Sequence, residues 1–493
     1  MSIQETKALE GWNYGLQAAL HETLVYAKKN IAYYSKTLPR RIVCDGNCRI
    51  LKEIPVINKK VVAMNHRGFC RSYLPLNLGY LSSGTTLGKG AFFEVKHTKE
   101  EEYAKSVFLM TGGDWSAACD SSNWCEEKIQ ALRRRYYSRT DKGPPVRSLV
   151  IADTHQAIPK IPQGDRVVKI AWHHHPNVIN RISYLLQLPA DQGRFVYLKG
   201  PPGILIKMSL LLQERGFDFS KCSIRMLGVF GYLSARWRRW LEALWNRPIV
   251  EVFTMSEFPS FAKECVDGGH YHFDELPLIT EVLDPLTNKN ISSGIGEFVF
   301  TSLYPFTQEQ PFIRYATGDL VKIVPCRREK TLGFRWMGRK HNSVIWNRKN
   351  APEGIVAMRE VNDILDNYPE VQRSSDVFED LKVFPQGTVG WPLFRMTLDG
   401  SKQRCVSVII HVSLNHLPCL YPGLVREIGT AVNKGLCSCN RDIKRALGQK
   451  KLDIQTRFYG PDEDLEGLKA WYEWDVFLGS KISKDKKRPR AKT

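Results

Sequence analysis

Four short runs hold the residue types that could do chemistry. Ser82-Ser83-Gly84-Thr85-Thr86, followed by Gly88, Lys89 and Gly90, combines small hydroxyls, glycines and a cation. Glycine and serine let backbone N–H groups approach a phosphate chain closely, so such a loop can hold ATP phosphates, although the same residues also build an ordinary Ser/Gly turn. In Pro311 to Asp319, PFIRYATGD, an apolar strand is expected to end in a tight turn carrying a carboxylate. Asp319 there can accept both hydroxyls of a ribose or simply cap the turn. The apolar run PIVEV leads into Phe253-Thr254-Met255-Ser256-Glu257, which puts an aromatic face and a carboxylate at a strand end. Gly338-Arg339 is the fourth run.

These residues need a scaffold, and the hydrophobic spacing supplies one. Leu16, Leu20, Leu24, Ala27 and Ile31 recur at helical spacing, so the chain opens with an amphipathic helix. From about residue 145 to 300, the β-rich runs SLVIAD, RFVYLKG, PIVEVF and GEFVFTSLY alternate with the helical stretches ILIKMSLLLQERG and ARWRRWLEALW. That alternation predicts an α/β domain with a largely parallel sheet. Beyond Gly338, Pro352 is placed just inside a helix carrying Ile355, Met358, Val361, Ile364 and Leu365 at helical spacing. The strands PLFRMTL and RCVSVIIHV, a helix over 421–434 and the strand LDIQTRF complete a small α+β unit, before a basic tail, GSKISKDKKRPRAKT, expected to be solvated and mobile. The reading is thus a large unit over 1–338 and a small one over 339–493.

Composition narrows the class. The 493 residues are 43% hydrophobic and 25% charged, within the globular range, which excludes disorder, collagen and long coiled coils. Lysine and arginine exceed aspartate and glutamate by 71 − 51 = +20, which favours polyanionic partners such as nucleotides or coenzyme A. Clusters such as Arg133-Arg134-Arg135 and Arg236-Trp237-Arg238-Arg239-Trp240 also raise nucleic acid, but Trp237 and Trp240 at helical spacing read as core. Twelve scattered cysteines predict reduced thiols, and no run of 18 apolar residues or apolar leader is present, so the expected location is the cytoplasm. His173-His174-His175 is an awkward metal cluster, because adjacent side chains on a strand or helix point apart.

SSGTT at 82–86, FTMSE at 253–257, RYATGD at 314–319 and GR at 338–339, in this order and at these separations, resemble the adenylate-forming enzyme superfamily. LVYAKKNIAYYSKTL at 24–38, AKECVDGGHYHFDE at 262–275, EVLDPLTNKNISSGIGEFVFTSLYPFTQEQPFIRYATGDL at 281–320 and NAPEG at 350–354 make the chain similar to its phenylacetate–coenzyme A ligase family. The resemblance covers roughly residues 16 to 371. It implies a large adenylate-forming domain with mixed and parallel sheets, a small mobile C-terminal domain, and use of ATP, Mg²⁺, a carboxylic acid and coenzyme A.

Carried over by position, the resemblance implies that Ser82, Ser83, Gly84, Thr85, Thr86 and Lys89 hold the β- and γ-phosphates. Glu257 would bind Mg²⁺, Thr254 would border the acyl pocket, and Phe253 stands where a tyrosine usually lies beside adenine. Asp319 would hold the ribose and Arg339 would contact the nucleotide near the hinge. Lys481 is the nearest approach to the family's catalytic C-terminal lysine, with Lys484 and Lys487 close behind. A subset of the family carries a structural zinc, for which Cys265, His270, His272 and Cys326 are the available ligands. Departures are Leu87 and Thr254 in place of glycines, Asn342 at the hinge acid, and Arg327 and Arg328 where a second cysteine usually neighbours Cys326. The implied reaction activates a carboxylic acid, by resemblance an aromatic one, as an acyl-adenylate and passes it to coenzyme A. Transfer to an amine or carrier thiol, and a non-enzymatic basic binder on a degenerate ligase fold, are the alternatives.

Overall fold

The structure, a computed structural model, describes residues 13–42, 49–71, 79–81, 94–96, 98–110, 119, 127, 131, 147–153, 167–172, 176–188, 195–255, 257, 260–273, 278–326, 332–348, 351–373, 390–399 and 405–461. Strands are numbered in chain order: β1 Ile57–Asn58, β2 Gly79–Leu81, β3 Glu94–Lys96, β4 Arg147–Asp153, β5 Val167–Trp172, β6 Phe195–Gly200, β7 Met226–Phe230, β8 Ile249–Thr254, β9 Phe261–Glu264 and β10 Tyr271–Phe273. They continue with β11 Ile279–Leu283, β12 Ile295–Thr301, β13 Tyr315–Ile323, β14 Phe334–Arg339, β15 Val344–Arg348, β16 Ala351–Val356, β17 Phe394–Asp399, β18 Val406–Ser413 and β19 Leu452–Tyr459.

A 12-stranded sheet runs β11-β12-β13-β14-β10-β9-β8-β7-β6-β4-β5, with β1 paired to β13. Its β5-β4-β6-β7-β8 part is parallel, as the alternation of strands and helices predicts, and the remainder from β8 to β11 is antiparallel. The crossover helices Pro176–Leu186, Pro202–Glu214 and Ala235–Trp245 pack on the parallel part around Leu149, Leu198, Leu227 and Ile249. Trp237 lies in this core, with Trp240 against it, so the aromatic pair is packing.

The opening helix spans Asn13–Asn30 and buries Leu20, Leu24 and Ala27 against the antiparallel part. Polar contacts fix it there. Thr23 Oγ1 accepts from Tyr304 N–H at 2.9 Å, Tyr26 donates to the Gln308 carbonyl at 3.0 Å, and Tyr34, in the next helix, accepts from Ile313 N–H at 2.9 Å. The segment 304–313 leads directly into β13.

Two expectations need correction. Pro352 and Ile355 lie in β16, not in a helix: Ile355 pairs with Ile345 in a hairpin with β15, and the helix begins only at Met358. Pro352 falls on the end of a strand with only one partner, where its missing N–H costs no ladder bond. RYATGD does not close a strand either. It opens β13, which runs on through Asp319 to Ile323 with a register shift after Leu320. A separate core, including Trp346, Val361, Phe394, Val408 and Val432, unites residues 344–454, where β17-β18-β19 pack on helices Pro422–Cys439 and Arg441–Gly448.

Candidate functional site

Asp319 on β13 is paired in register with Arg339, the last residue of β14. Arg339 Nη1 donates to Asp319 Oδ2 at 3.0 Å and to the Thr317 carbonyl at 3.2 Å, and Trp336 Nε1 donates to Asp319 Oδ1 at 2.9 Å. The carboxylate is only 2% exposed. Two carboxylate oxygens offer about four lone-pair positions, so two acceptor positions are left unused by these side chains. Asp319 is therefore a buried, preoriented acceptor and not a turn cap.

Gly338 explains why β14 can end here. Its φ is +108°, and a Cβ would lie 2.8 Å from the Met358 Cβ, so the strand end and the helix Met358–Leu365 approach as closely as glycine allows. Asn342, at the hinge position, is buried beside Met358, with Nδ2 4.0 Å from its sulfur and Oδ1 without a hydrogen-bond partner. His341 between them is pushed down to about 4 by burial and by Arg339, so it adds no charge at neutral pH.

Glu257 sits in the turn after β8, 6% exposed, and accepts from Tyr315 Oη at 3.3 Å. Burial, and then the Glu257 carboxylate, push the Tyr315 phenol far above its ordinary value, so it remains a donor. Facing this group is Lys59, a residue the sequence reading did not select. It is 3% exposed and opens the helix Lys59–Met64, whose N-cap Asn58 accepts from Val61 N–H at 3.0 Å. The ladder Ile57↔Tyr315 and Asn58↔Ala316 fixes that helix beside β13. Burial lowers Lys59 to about 8; Glu257 and Asp319 pull it back up, while Arg339 pushes it further down. Lys59, Glu257, Tyr315, Asp319 and Arg339 thus form one coupled polar cluster. The sequence carries no signal that singles Lys59 out, because Lys60 shares the helix's first turn and differs only in being exposed.

Phe253 is 8% exposed and packs edge-on against Phe273, Phe298 and Phe334, so its ring is taken up in the aromatic core. Thr254, next to it, is exposed at the end of β8. Ser82, Ser83, Gly84, Thr85, Thr86, Lys89, His173 to His175 and Lys481 lie outside the described residues. The 82–89 run does fall between β2 and β3, which pair with each other.

The four expected zinc ligands come together. Cys265 directly follows β9, His270 directly precedes the return strand β10 and His272 lies in it, and Cys326 follows β13; their ligand atoms all lie within 4.8 Å of one another. The turn between is closed by Cys265 N–H to the His270 carbonyl at 2.7 Å and Gly268 N–H to the Cys265 carbonyl at 2.8 Å. The two sulfurs are 3.9 Å apart, against about 3.8 Å for an edge of a tetrahedron with zinc–sulfur bonds of ~2.3 Å. His270 Nδ1 donates to the Gly268 carbonyl at 3.1 Å, which turns the Nε2 lone pair inward, and that buried nitrogen has no hydrogen-bond partner. Gly333 completes the cradle, since a Cβ there would crowd His272 at 3.1 Å and His270 at 3.3 Å. The donor set and spacing suit tetrahedral zinc.

No protein-family model matches the sequence, and no curated protein matches it. Solved structures do. An open conformation of 2-hydroxyisobutyryl-CoA ligase in complex with 2-HIB-AMP and CoA superposes with a TM-score of 0.58 at 12% identity, over 92% of this chain and 88% of that one. The postadenylation state of that ligase in complex with 2-HIB-AMP gives 0.54 at 13% identity, over 92% and 86%. The protein has the fold of an adenylate-forming ligase. No helix among the described residues is long and apolar enough to cross a membrane.

Proposed function

We propose that the protein is an AMP-forming ligase that activates a carboxylic acid with ATP and passes the acyl group to coenzyme A. The observation that carries this reading is the cluster of buried Lys59, Glu257 and Asp319 with partly buried Arg339 on an adenylate-forming ligase fold. Attack of a carboxylate on the α-phosphorus of ATP needs alignment and charge neutralisation more than a covalent catalyst. Each group has a role in that task. Asp319, held by Arg339 and Trp336, accepts the ribose hydroxyls, and Arg339 keeps the carboxylate oriented. Lys59 stabilises negative charge growing on the transferring phosphate. Glu257 would hold Mg²⁺, which supplies charge neutralisation on the phosphates when bound. By resemblance, the run Ser82 to Lys89 cradles the outer phosphates and Lys481 arrives from the C-terminal unit over 339–493 for adenylation.

Cys265, His270, His272 and Cys326 hold a structural zinc in this reading, tying β9 and β10 to the end of β13, the strand that carries Asp319. An aromatic acid rests on the sequence resemblance alone, as does the preference for coenzyme A over an amine or carrier thiol. ATP–pyrophosphate exchange across aromatic, fatty, hydroxy and amino acids tests the first half-reaction. AMP release with coenzyme A or amines then identifies the acceptor; absence of exchange with every acid overturns the enzymatic reading.

A further inference from the structure

The sheet β17-β18-β19 turns one face to its helices, with Phe394, Met396, Val408, Ile410, Val412 and Ile454 in the core. Its other face is polar apart from Ile409, and sorted by charge. Residues paired across strands point to the same side of a sheet. Arg395 pairs with His411 and His411 with Arg457, so these three form one row across all three strands. The acids occupy a different row: Asp399 pairs with Ser407 and Ser407 with Asp453. That row is four residues away along β18, roughly 13 Å. Asp453 is engaged there, accepting from Gln455 at 2.8 Å and Ser407 at 3.4 Å.

The two guanidinium groups therefore flank the imidazole with no carboxylate in their row. Neither forms a salt bridge among the described residues, and Arg395 Nε is a buried N–H with no hydrogen-bond partner. Two like charges in one row, with a buried donor unused, disfavour the fold unless something answers them.

His411, between them, is 8% exposed and has hydroxyls on both ring nitrogens: Thr397 Oγ1 at 3.0 Å from Nε2 and Tyr459 Oη at 2.7 Å from Nδ1. Burial, then the flanking arginines, hold the ring below its ordinary pKa, so it is neutral at pH 7. A neutral imidazole donates at one nitrogen and accepts at the other. One hydroxyl gives its proton to the ring, and the other, accepting from it, keeps a proton to direct elsewhere. The row and the hydroxyls of the two rows beside it thus present two cations and a spare hydroxyl donor. This is a donor set for an anion, and guanidinium suits phosphate best because its planar fork matches two oxygens at once. The outer strands are two strand spacings apart, roughly 10 Å, a gap that two inward-leaning arginine side chains can close on one phosphate.

We propose that the outer face of this sheet binds a phosphate monoester between Arg395 and Arg457, with the Thr397 or Tyr459 hydroxyl as a third donor. Free phosphate and the 3′-phosphate of coenzyme A share this chemistry; naming coenzyme A as the source rests on the function proposed above, whereas the site itself does not.

The test is calorimetric titration of the full chain and of Arg395→Gln/Arg457→Gln with inorganic phosphate, coenzyme A and dephospho-coenzyme A, with circular dichroism to verify folding. Phosphate should bind the parent and bind the double variant at least about tenfold more weakly, as expected for lost charge-assisted bonds. If coenzyme A is the source, the parent prefers it over the dephospho form and the double variant loses that preference. Equal binding of the two coenzymes, with the phosphate difference intact, assigns the site to free phosphate. Phosphate that fails to bind the parent, or binds the variant equally well, overturns the site. Arg457→Gln alone, an exposed position, carries the comparison if the double variant does not fold. ATP–pyrophosphate exchange is measured in parallel: its absence from the parent refutes the ligase reading without touching the phosphate result.

Discussion

Lys59 and Glu257 oppose each other's charge inside the protein, although each reaches the site from a different part of the fold: Glu257 from the turn after the mid-sheet strand β8, Lys59 from the helix that follows β1. β13 is their common reference, because Tyr315 donates to Glu257 and pairs with Ile57, two residues before Lys59. Lys59 at about 8 is held poised to gain charge when an anion arrives. ATP binding raises its pKa again, so near pH 8 the protein should take up protons from solution as ATP binds. Calorimetry in buffers of different ionisation enthalpy measures that uptake. It should vanish in Lys59→Met, and an unchanged uptake would remove Lys59 from the phosphate site.

Glu257→Gln keeps the size and removes the charge. Adenylation should fall by at least about a hundredfold, the scale on which loss of an electrostatic transition-state contact is felt, while thermal stability stays near that of the parent. Exchange rate and melting temperature, read together, check this. Normal exchange by a folded variant would reassign Glu257 to packing with Tyr315.

Asp319→Asn replaces an acceptor-only group that Arg339 and Trp336 now both address. Each charge-assisted bond is worth roughly 1.5–3 kcal/mol, so ATP affinity should drop about tenfold or more. Fluorescent-nucleotide competition gives the number. Arg339→Gln should weaken ATP by less, since the carboxylate survives and loses only one of its two side-chain partners.

Cys265→Ser should release a metal. The parent is expected to carry about one zinc per chain by elemental analysis, with the variant carrying far less and melting lower, because metal binding to a structural site adds directly to folding free energy. Zinc content near zero in parent protein purified without chelators would refute the site.

Much of this architecture is legible in the sequence, and the exceptions have physical causes. Strands β4, β6, β8 and β12 are short apolar runs bounded by turn residues, and their alternation with apolar helices leaves few ways to fold. Asp319, Arg339 and the four Cys and His ligands carry chemistry in their types. Lys59 does not, since the neighbouring Lys60 has the same type and only burial distinguishes them. Pro352 carries a helix-start signal that is local, whereas the pairing of Ile355 with Ile345 is set across a hairpin. Asp319 differs for a similar reason: glycine before an acid marks a turn locally, and the β12 and β14 neighbours that extend β13 through it lie outside the local pattern.

The clamp between the opening helices and the segment before β13 sets an order of events during synthesis. Tyr34 and Ile313, joined by a hydrogen bond, are 279 residues apart. A ribosome adding about 5–20 residues per second needs roughly 15–55 s to deliver the second after the first. Through that interval the apolar stripe of Leu20, Leu24 and Ala27 has emerged before its partners Phe300, Phe312 and Ile313 exist. The helix is local and forms without distant partners, but its apolar stripe stays uncovered until the segment leading into β13 has been made.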